Sequence, residues 1–343
     1  DERVKGVVFS LKAGNYALAH VQEVRNAVKR LRDAGKFAYV YAPTFGRYGS
    51  ALSQYYLASA FDQVWMQPVG SLSITGPNAE MPFARDALGQ LGIEPHFFKR
   101  EDFKTAAESV TNKSMSPENR QMTRRLLGNM ADQMIAGISG SRELQPEKVR
   151  KLIDQGLLTG EEAVENGLID KLAYSDNLVD HIRKRVTGDV EDESLKYVPL
   201  GSYVSRIRRD ILDVVPDTVV RDKKQVALIS LSGTIVQQAP VSGPGARGDV
   251  ASAEKIHNAL HEAAENDRFE AIVVRINSPG GSPTASETIR RGIEYAQKED
   301  KHVVVSLGPV AASGGYWVAS AADQVFVSPG TITGSIGVVG GKF

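Results

Sequence analysis

The chain has 343 residues, 42% of them hydrophobic, 24% charged and 7% aromatic, an ordinary globular composition with room for two domains. Forty-one basic residues balance forty-one acidic ones and no basic run stands out, so nothing in the charge points to nucleic acid. Cysteine is absent, which excludes disulfides, thiolate catalysis and cysteine metal sites, and no stretch reaches the roughly eighteen apolar residues that span a bilayer.

Asp1-Glu2-Arg3-Val4 leads straight into a buried-type strand over 6–11, with no visible signal peptide. Such a start is expected of a chain cut from a longer one. Leu18, Val21, Val24, Val28 and Leu31 recur at helical spacing, and Gly35 stands where a helix C-terminus needs a stop. A strand is predicted over 36–40, then a helix-competent run from Tyr55 towards a short strand at Val64. After Gly76 come an extended piece at 95–98, the segment 100–105, a long amphipathic helix over 117–137 and a closing GLLTGEEAVENGLIDKL at 156–172. The charged stretch 181–224 reads as a connector with a short helix near 203–212. Beyond it the pattern gives a strand over 226–231, a Gly/Pro-rich loop over 237–249, a helix over 251–265 and a strand over 271–276. NSPGGS at 277–282 follows, with Ser282 as a helix cap and Pro283 in the first turn. The apolar strand 303–305 then runs into LGPVAASGGYWVAS at 307–320.

Two parts of the chain repeat each other. KGVVFSL at 5–11 pairs with EAIVVRI at 270–276, and KFAYV at 36–40 with KHVVV at 301–305, each 265 positions on. YYLASAFDQV at 55–64 pairs with YWVASAADQV at 316–325, 261 positions on, so the first copy has four extra residues in the intervening turn. Strands alternating with crossover helices imply an α/β fold, a parallel sheet covered by helices in each copy. The predicted organisation is an N-terminal domain over 1–180, a connector over 181–224 and a second domain over 225–343. By the repeat, roughly a hundred residues of the second unit would lie beyond Phe343, so the chain is expected to begin and end inside a domain.

Several places compete for chemistry. Ser313 has alanines before it and Gly314 and Gly315 after it, the bare backbone that a nucleophile needs if a carbonyl is to approach. Plain small-residue packing would also produce it. Gly280 and Gly281, after a strand and before a helix, would present N–H groups to an oxyanion or a phosphate. No GxxxxGK[ST] and no GxGxxG is present, which favours the oxyanion. Where the second copy has 277–282, the first has Lys12-Ala13-Gly14-Asn15-Tyr16, and Leu52 stands opposite Ser313. Packing would constrain both copies alike, so this asymmetry favours chemistry in the second.

The base is less determined. None of His20, His96, His181, His257, His261 and His302 lies downstream of Ser313. His257 and His261 sit four apart on a helix without a third ligand, so no metal site is expected. Lys104 lies beside Phe103 and near Phe97 and Phe98. An exposed lysine is neutral about once in two thousand molecules at neutral pH, and burial would make it usable as a base. The residues themselves do not separate Lys104 from the other basic side chains.

INSPGGSPTASETIRR at 276–291, the run at 303–338, DFKTAAE at 102–108 and MSP at 115–117 resemble the signal peptide peptidase A family in its long, duplicated bacterial form. The resemblance covers nearly the whole chain. It implies tandem domains of the Clp-protease/crotonase fold. It further implies Ser313 as nucleophile, Lys104 from the other copy as general base, and Gly281 and Gly314 with nearby Gly280 as oxyanion donors. No cofactor or metal is implied. The substrates would be released signal peptides and other apolar peptides. The assembly would be a homotetramer at the bacterial inner membrane, facing the periplasm and anchored through a segment before Asp1. Tyr316, Trp317 and residues 332–336 are candidates for an apolar substrate pocket. A crotonase-type acyl-CoA enzyme and a catalytically inactive scaffold are the alternatives.

Overall fold

The computed structural model describes residues 1–343 apart from 13, 15, 47, 48, 193, 215–223 and 239–248. Ala13 and Asn15 of the first-copy loop, the end of the expected connector and most of the loop predicted over 237–249 therefore lie outside the described residues. In chain order the elements are β1 (Gly6–Ser10), α1 (Leu18–Asp33), β2 (Phe37–Ala42), α2 (Leu52–Ala58), β3 (Gln63–Met66), β4 (Ser71–Ser73), α3 (Arg85–Gln90), β5 (His96–Lys99), α4 (Glu108–Thr111), α5 (Pro117–Arg142) and α6 (Pro146–Gln155). They continue with β6 (Leu157–Thr159), α7 (Gly160–Glu165), β7 (Lys171–Leu172), α8 (Ser175–Thr187), α9 (Leu200–Val214), β8 (Gln225–Ser232), β9 (Thr234–Val236), β10 (Val250–Ser252) and α10 (Ala253–Ala264). The last are β11 (Phe269–Ser278), α11 (Pro283–Lys298), β12 (His302–Ala312), α12 (Gly314–Ala319), β13 (Gln324–Phe326), β14 (Ile332–Gly334) and β15 (Val339–Lys342).

The chain divides into two compact units, one of Asp1–Pro77 with Met130–Asp222, the other of Asn78–Asn129 with Lys223–Phe343. This differs from the boundaries expected from sequence. Residues 78–129 belong with the second unit, and the expected connector clusters largely with the first. The physical reason lies in long-range pairing: β5 forms an antiparallel ribbon with β15, Val339 opposite Lys99 and Lys342 opposite His96. No local periodicity encodes that partnership.

In the first unit β1, β2, β3 and β7 form a parallel sheet in that order. Every residue of β2 is buried, as a strand covered on both faces must be. Leu18, Val21 and Val28 of α1 pack one face together with Tyr55 of α2 and Ile138 of α5. On the other face Phe37, Tyr39, Tyr41 and Trp65 meet Leu178 and Ile182 of α8. In the second unit β13, β12, β11 and β8 form a parallel sheet, with β14 on the distal end of β12. Ile256 and Leu260 of α10, Ile289 and Ile293 of α11 and Val318 of α12 cover one face. The side chain of Ser282 accepts the Ala285 N–H at the head of α11, with Pro283 in its first turn, as the sequence predicts.

The duplication is visible in atomic detail. Gly6 stands opposite Phe37 in the first sheet and Ala271 opposite His302 in the second, both partners 265 positions on. Tyr39 opposite Gln63 becomes Val304 opposite Gln324, shifted by 265 and 261. A side-chain clasp is duplicated as well. Asp62 accepts the Ala38 N–H at 2.7 Å and an Arg32 bond at 2.5 Å, while Arg32 also reaches Ala60 O at 2.8 Å. In the second unit Asp323 accepts the Val303 N–H at 2.7 Å and a Gln297 bond at 3.0 Å, and Gln297 reaches Ala321 O at 2.8 Å.

Candidate active site

Ser313 sits between β12 and α12 with φ 52° and ψ −117°, a conformation L residues rarely adopt. Two bonds hold it there: its N–H donates to Gly334 O at 2.9 Å, and its carbonyl accepts the Trp317 N–H at 2.9 Å. Pairing of β14 with β12 supplies Gly334 and places Ser335 directly after it. The flanking glycines are needed for space. A Cβ on Gly314 would collide with Ser286 Oγ, and one on Gly315 would come within 2.9 Å of Ser278 O. In the first unit α2 starts at Leu52 from an unstrained Ala51, and Leu52 is buried in the core. The opened backbone belongs to the second copy.

The β5–β15 ribbon carries the chain back to this point. The Arg100 N–H donates to Val338 O at 3.1 Å, a turn through Glu101 at φ 64° follows, and Lys104 enters the site. The residue is only 5% exposed. Lys104 Nζ lies 3.1 Å from Ser313 Oγ, 2.5 Å from Ser335 O and 3.0 Å from Ser335 Oγ. Burial pushes its pKa below the ordinary 10.5, and among the described residues no carboxylate pairs with it to restore the charge. The following turn is fixed by Glu108, which is buried and accepts bonds from Ser116 Oγ at 2.7 Å, Ser116 N at 3.3 Å and Asn119 Nδ2 at 2.8 Å.

The three glycines named from the sequence do different things. Gly314 is the first residue of α12, where an N–H has no partner within the helix. Gly281 lies in a bridge to Ile235 in which Ile235 N–H donates to Gly280 O and Ser282 N–H to Ile235 O. The Gly281 N–H therefore points to the opposite side, where a Cβ on Gly314 would sit 3.3 Å from its nitrogen. Gly280, expected near the donors, has its N–H engaged by Ser278 Oγ at 3.1 Å. Its contribution is steric: φ is 99°, and a Cβ would fall 2.6 Å from Gly314 N and 2.8 Å from Ser313 Cβ. It is a spacer rather than a free donor.

Lys104, Ser313, Ser335 and the Gly281–Gly314 pair open on a cleft of about 190 Å3, whose apolar wall includes Ala106, Pro279, Trp317, Val338 and Val339. Cofactor pockets run to roughly 300–1,000 Å3, so this one is sized for a side chain. Of the residues proposed for a substrate pocket, Trp317 and, from 332–336, Ser335 line the cleft, and Tyr316 does not. The sequence offers Ser335 only within the 332–336 pocket candidates, not as a partner of Lys104. Its only signal is its place after a glycine in TITGSIG, which spacing alone does not distinguish from a turn. The histidines hold no metal cluster among the described residues.

The family model for peptidase family S49 matches residues 30–188 and 295–343. The chain belongs to peptidase family S49. Protease 4 of Haemophilus influenzae is 30% identical to it over 349 residues, covering 98% of this chain and 54% of that protein. The chloroplastic serine protease SPPA of Arabidopsis thaliana is 31% identical over 344 residues, covering all of this chain and 48% of that protein. A putative signal peptide peptidase SppA of Enterococcus faecium is 32% identical over 80 residues, 23% of each chain. The chain thus spans about half the length of the long S49 relatives it matches. Among the described residues no helix is long and apolar enough to cross a membrane.

Proposed function

We propose that the protein is a serine-type endopeptidase that works through a Ser313/Lys104 dyad. The observation that carries this reading is the 3.1 Å separation of Lys104 Nζ and Ser313 Oγ, with the lysine buried and without a carboxylate partner. Neutral Lys104 takes the hydroxyl proton as Ser313 Oγ bonds to the substrate carbonyl carbon. The Gly281 and Gly314 N–H groups receive the developing oxyanion. The lysine ammonium then gives its proton to the leaving amine as the C–N bond breaks, leaving an ester on Ser313. Water repeats the sequence, Lys104 accepting its proton and returning one to Ser313 as the acid departs.

Both members of the dyad belong to the same compact unit, within one chain. The substrate class follows from the cleft and the family. An apolar wall beside the nucleophile suits apolar peptides, and released signal peptides are the substrates the S49 resemblance implies. The same resemblance supports a homotetramer attached to the bacterial inner membrane on its periplasmic side, through a segment outside this chain. Ser313→Ala and Lys104→Ala, each made in the intact protein, are expected to abolish hydrolysis of apolar peptides while leaving circular dichroism and thermal unfolding near wild type. Near-wild-type activity of Lys104→Ala would overturn the dyad.

A further inference from the structure

Glu287 stands outside the dyad and its oxyanion donors, on the first turns of α11. Trp317 lies on α12, one turn after Ser313, and lines the cleft. The two side chains meet: Trp317 Nε1 donates to Glu287 Oε2 at 3.0 Å. Arg290 holds the carboxylate in a fork, Nε to Oε2 and Nη2 to Oε1, both at 2.7 Å. Its remaining nitrogen, Nη1, donates to Glu294 Oε1 at 2.6 Å, and Arg291 donates to Glu294 Oε2 at 2.9 Å. The carboxylate thus keeps one orientation without help from the cleft.

An indole has a single polar atom, the Nε1–H donor. With that donor engaged outside the cleft, the ring offers the substrate only carbon. Ala106, Pro279, Pro283, Val338 and Val339 extend this apolar lining of the cleft, alongside the polar Lys104, Ser313 and Ser335. A freed indole would have its χ2 to choose again and would turn its N–H to any acceptor within reach, including a polar substrate side chain. We infer that Glu287 is a positioning residue for substrate specificity: by holding the Trp317 N–H it fixes an apolar cleft wall, which selects apolar over polar side chains of similar size. The inference rests on the peptidase reading above.

The test uses matched fluorogenic peptides that carry leucine or asparagine, similar in size and opposite in polarity, at each position flanking the scissile bond in turn. At the position seated in the cleft, Glu287→Ala is expected to lower the leucine-to-asparagine ratio of kcat/KM by about threefold to tenfold, the range for one solvent-facing hydrogen bond. The change should come through KM for the leucine peptide. Glu287→Gln, whose amide oxygen still accepts from the indole, should restore most of the ratio. In a Trp65→Phe background, where Trp317 is the sole tryptophan, Glu287→Ala should raise acrylamide quenching and Glu287→Gln should not. An active Glu287→Ala enzyme with an unchanged ratio at every position overturns the role of Glu287 and leaves the peptidase reading standing. A wild-type protein that cleaves neither peptide overturns the peptidase reading, and this inference with it.

Discussion

A neutral amine has two N–H bonds and one lone pair, and the three contacts of Lys104 use all three directions. Ser335 O and Oγ accept the two protons, which leaves the lone pair aimed at Ser313 Oγ–H. In the proposed dyad Ser335 is thus the residue that would orient the buried lysine as a base, and it holds this place at φ 48°. Replacing Ser335 by alanine keeps the carbonyl acceptor and loses the hydroxyl. One hydrogen bond is worth about 1 kcal/mol, so kcat should fall about fivefold to tenfold with KM little changed, read from steady-state kinetics. The pH dependence follows from the base itself. If Lys104 is the base, only its neutral form accepts the serine proton, so kcat/KM should rise with pH as the ammonium dissociates. Burial favours the neutral form, hence the midpoint of that rise should lie below the ordinary lysine value of 10.5. A midpoint at or above that value, measured with a substrate that does not itself titrate, would mean that Lys104 is not the base.

Elements differ in how fully the sequence announces them. The helical spacing of Ala285, Ile289, Ile293 and Ala296 matches α11, where all four are buried, because an amphipathic helix writes its burial into its own period. The ribbon of β5 and β15 joins residues more than two hundred positions apart, so neither strand names its partner, and Lys104 reaches the second unit by a route the sequence leaves open. The same distance hides Ser335. Helix α8 shows a third case. Its apolar residues Leu178 and Ile182 are legible, but nothing local marks His181 between them as packed against the sheet. In the structure its ring lies 5.1 Å from Trp65 and 5.7 Å from Tyr39. Burial, then Lys171 and Arg185, lower its pKa from the ordinary 6.5. A depressed folded value means that the unfolded chain takes up the proton first. The neutral ring's contribution is therefore present above pH 6.5 and is lost as pH falls through the window below it. In a Trp317→Phe background Trp65 reports on this layer. The urea midpoint should drop between pH 7.5 and 5.5 for the parent and drop less for His181→Phe, which keeps the ring contacts and removes the titration.

At the scale of the whole molecule the duplication is the organising fact, and it was legible because equal offsets survive where single residues have changed. The clasp of Asp62 and its counterpart Asp323 explains part of that persistence. Each carboxylate satisfies the N–H of a fully buried strand residue, Ala38 or Val303, and each is tied to the end of the preceding helix through Arg32 or Gln297. Arginine and glutamine differ in charge, yet both reach the same carbonyl position, Ala60 O or Ala321 O. What is kept is a geometry of donors. At the site the copies differ where the second opens its backbone, at Ser313 against the core residue Leu52 and at Gly280-Gly281 against 12–16. If the clasp is structural in both, Asp62→Ala and Asp323→Ala should each leave a buried N–H unpaired and cost about 1–3 kcal/mol. Each unit carries one of the two tryptophans, Trp65 in the first and Trp317 in the second. Urea unfolding of single-tryptophan variants should therefore register the first loss at Trp65 and the second at Trp317, with losses of similar size. A large loss for Asp62→Ala beside none for Asp323→Ala would mean that the second copy has given up the clasp's structural role as its site diverged. That outcome would break the equivalence on which the duplicated architecture is read.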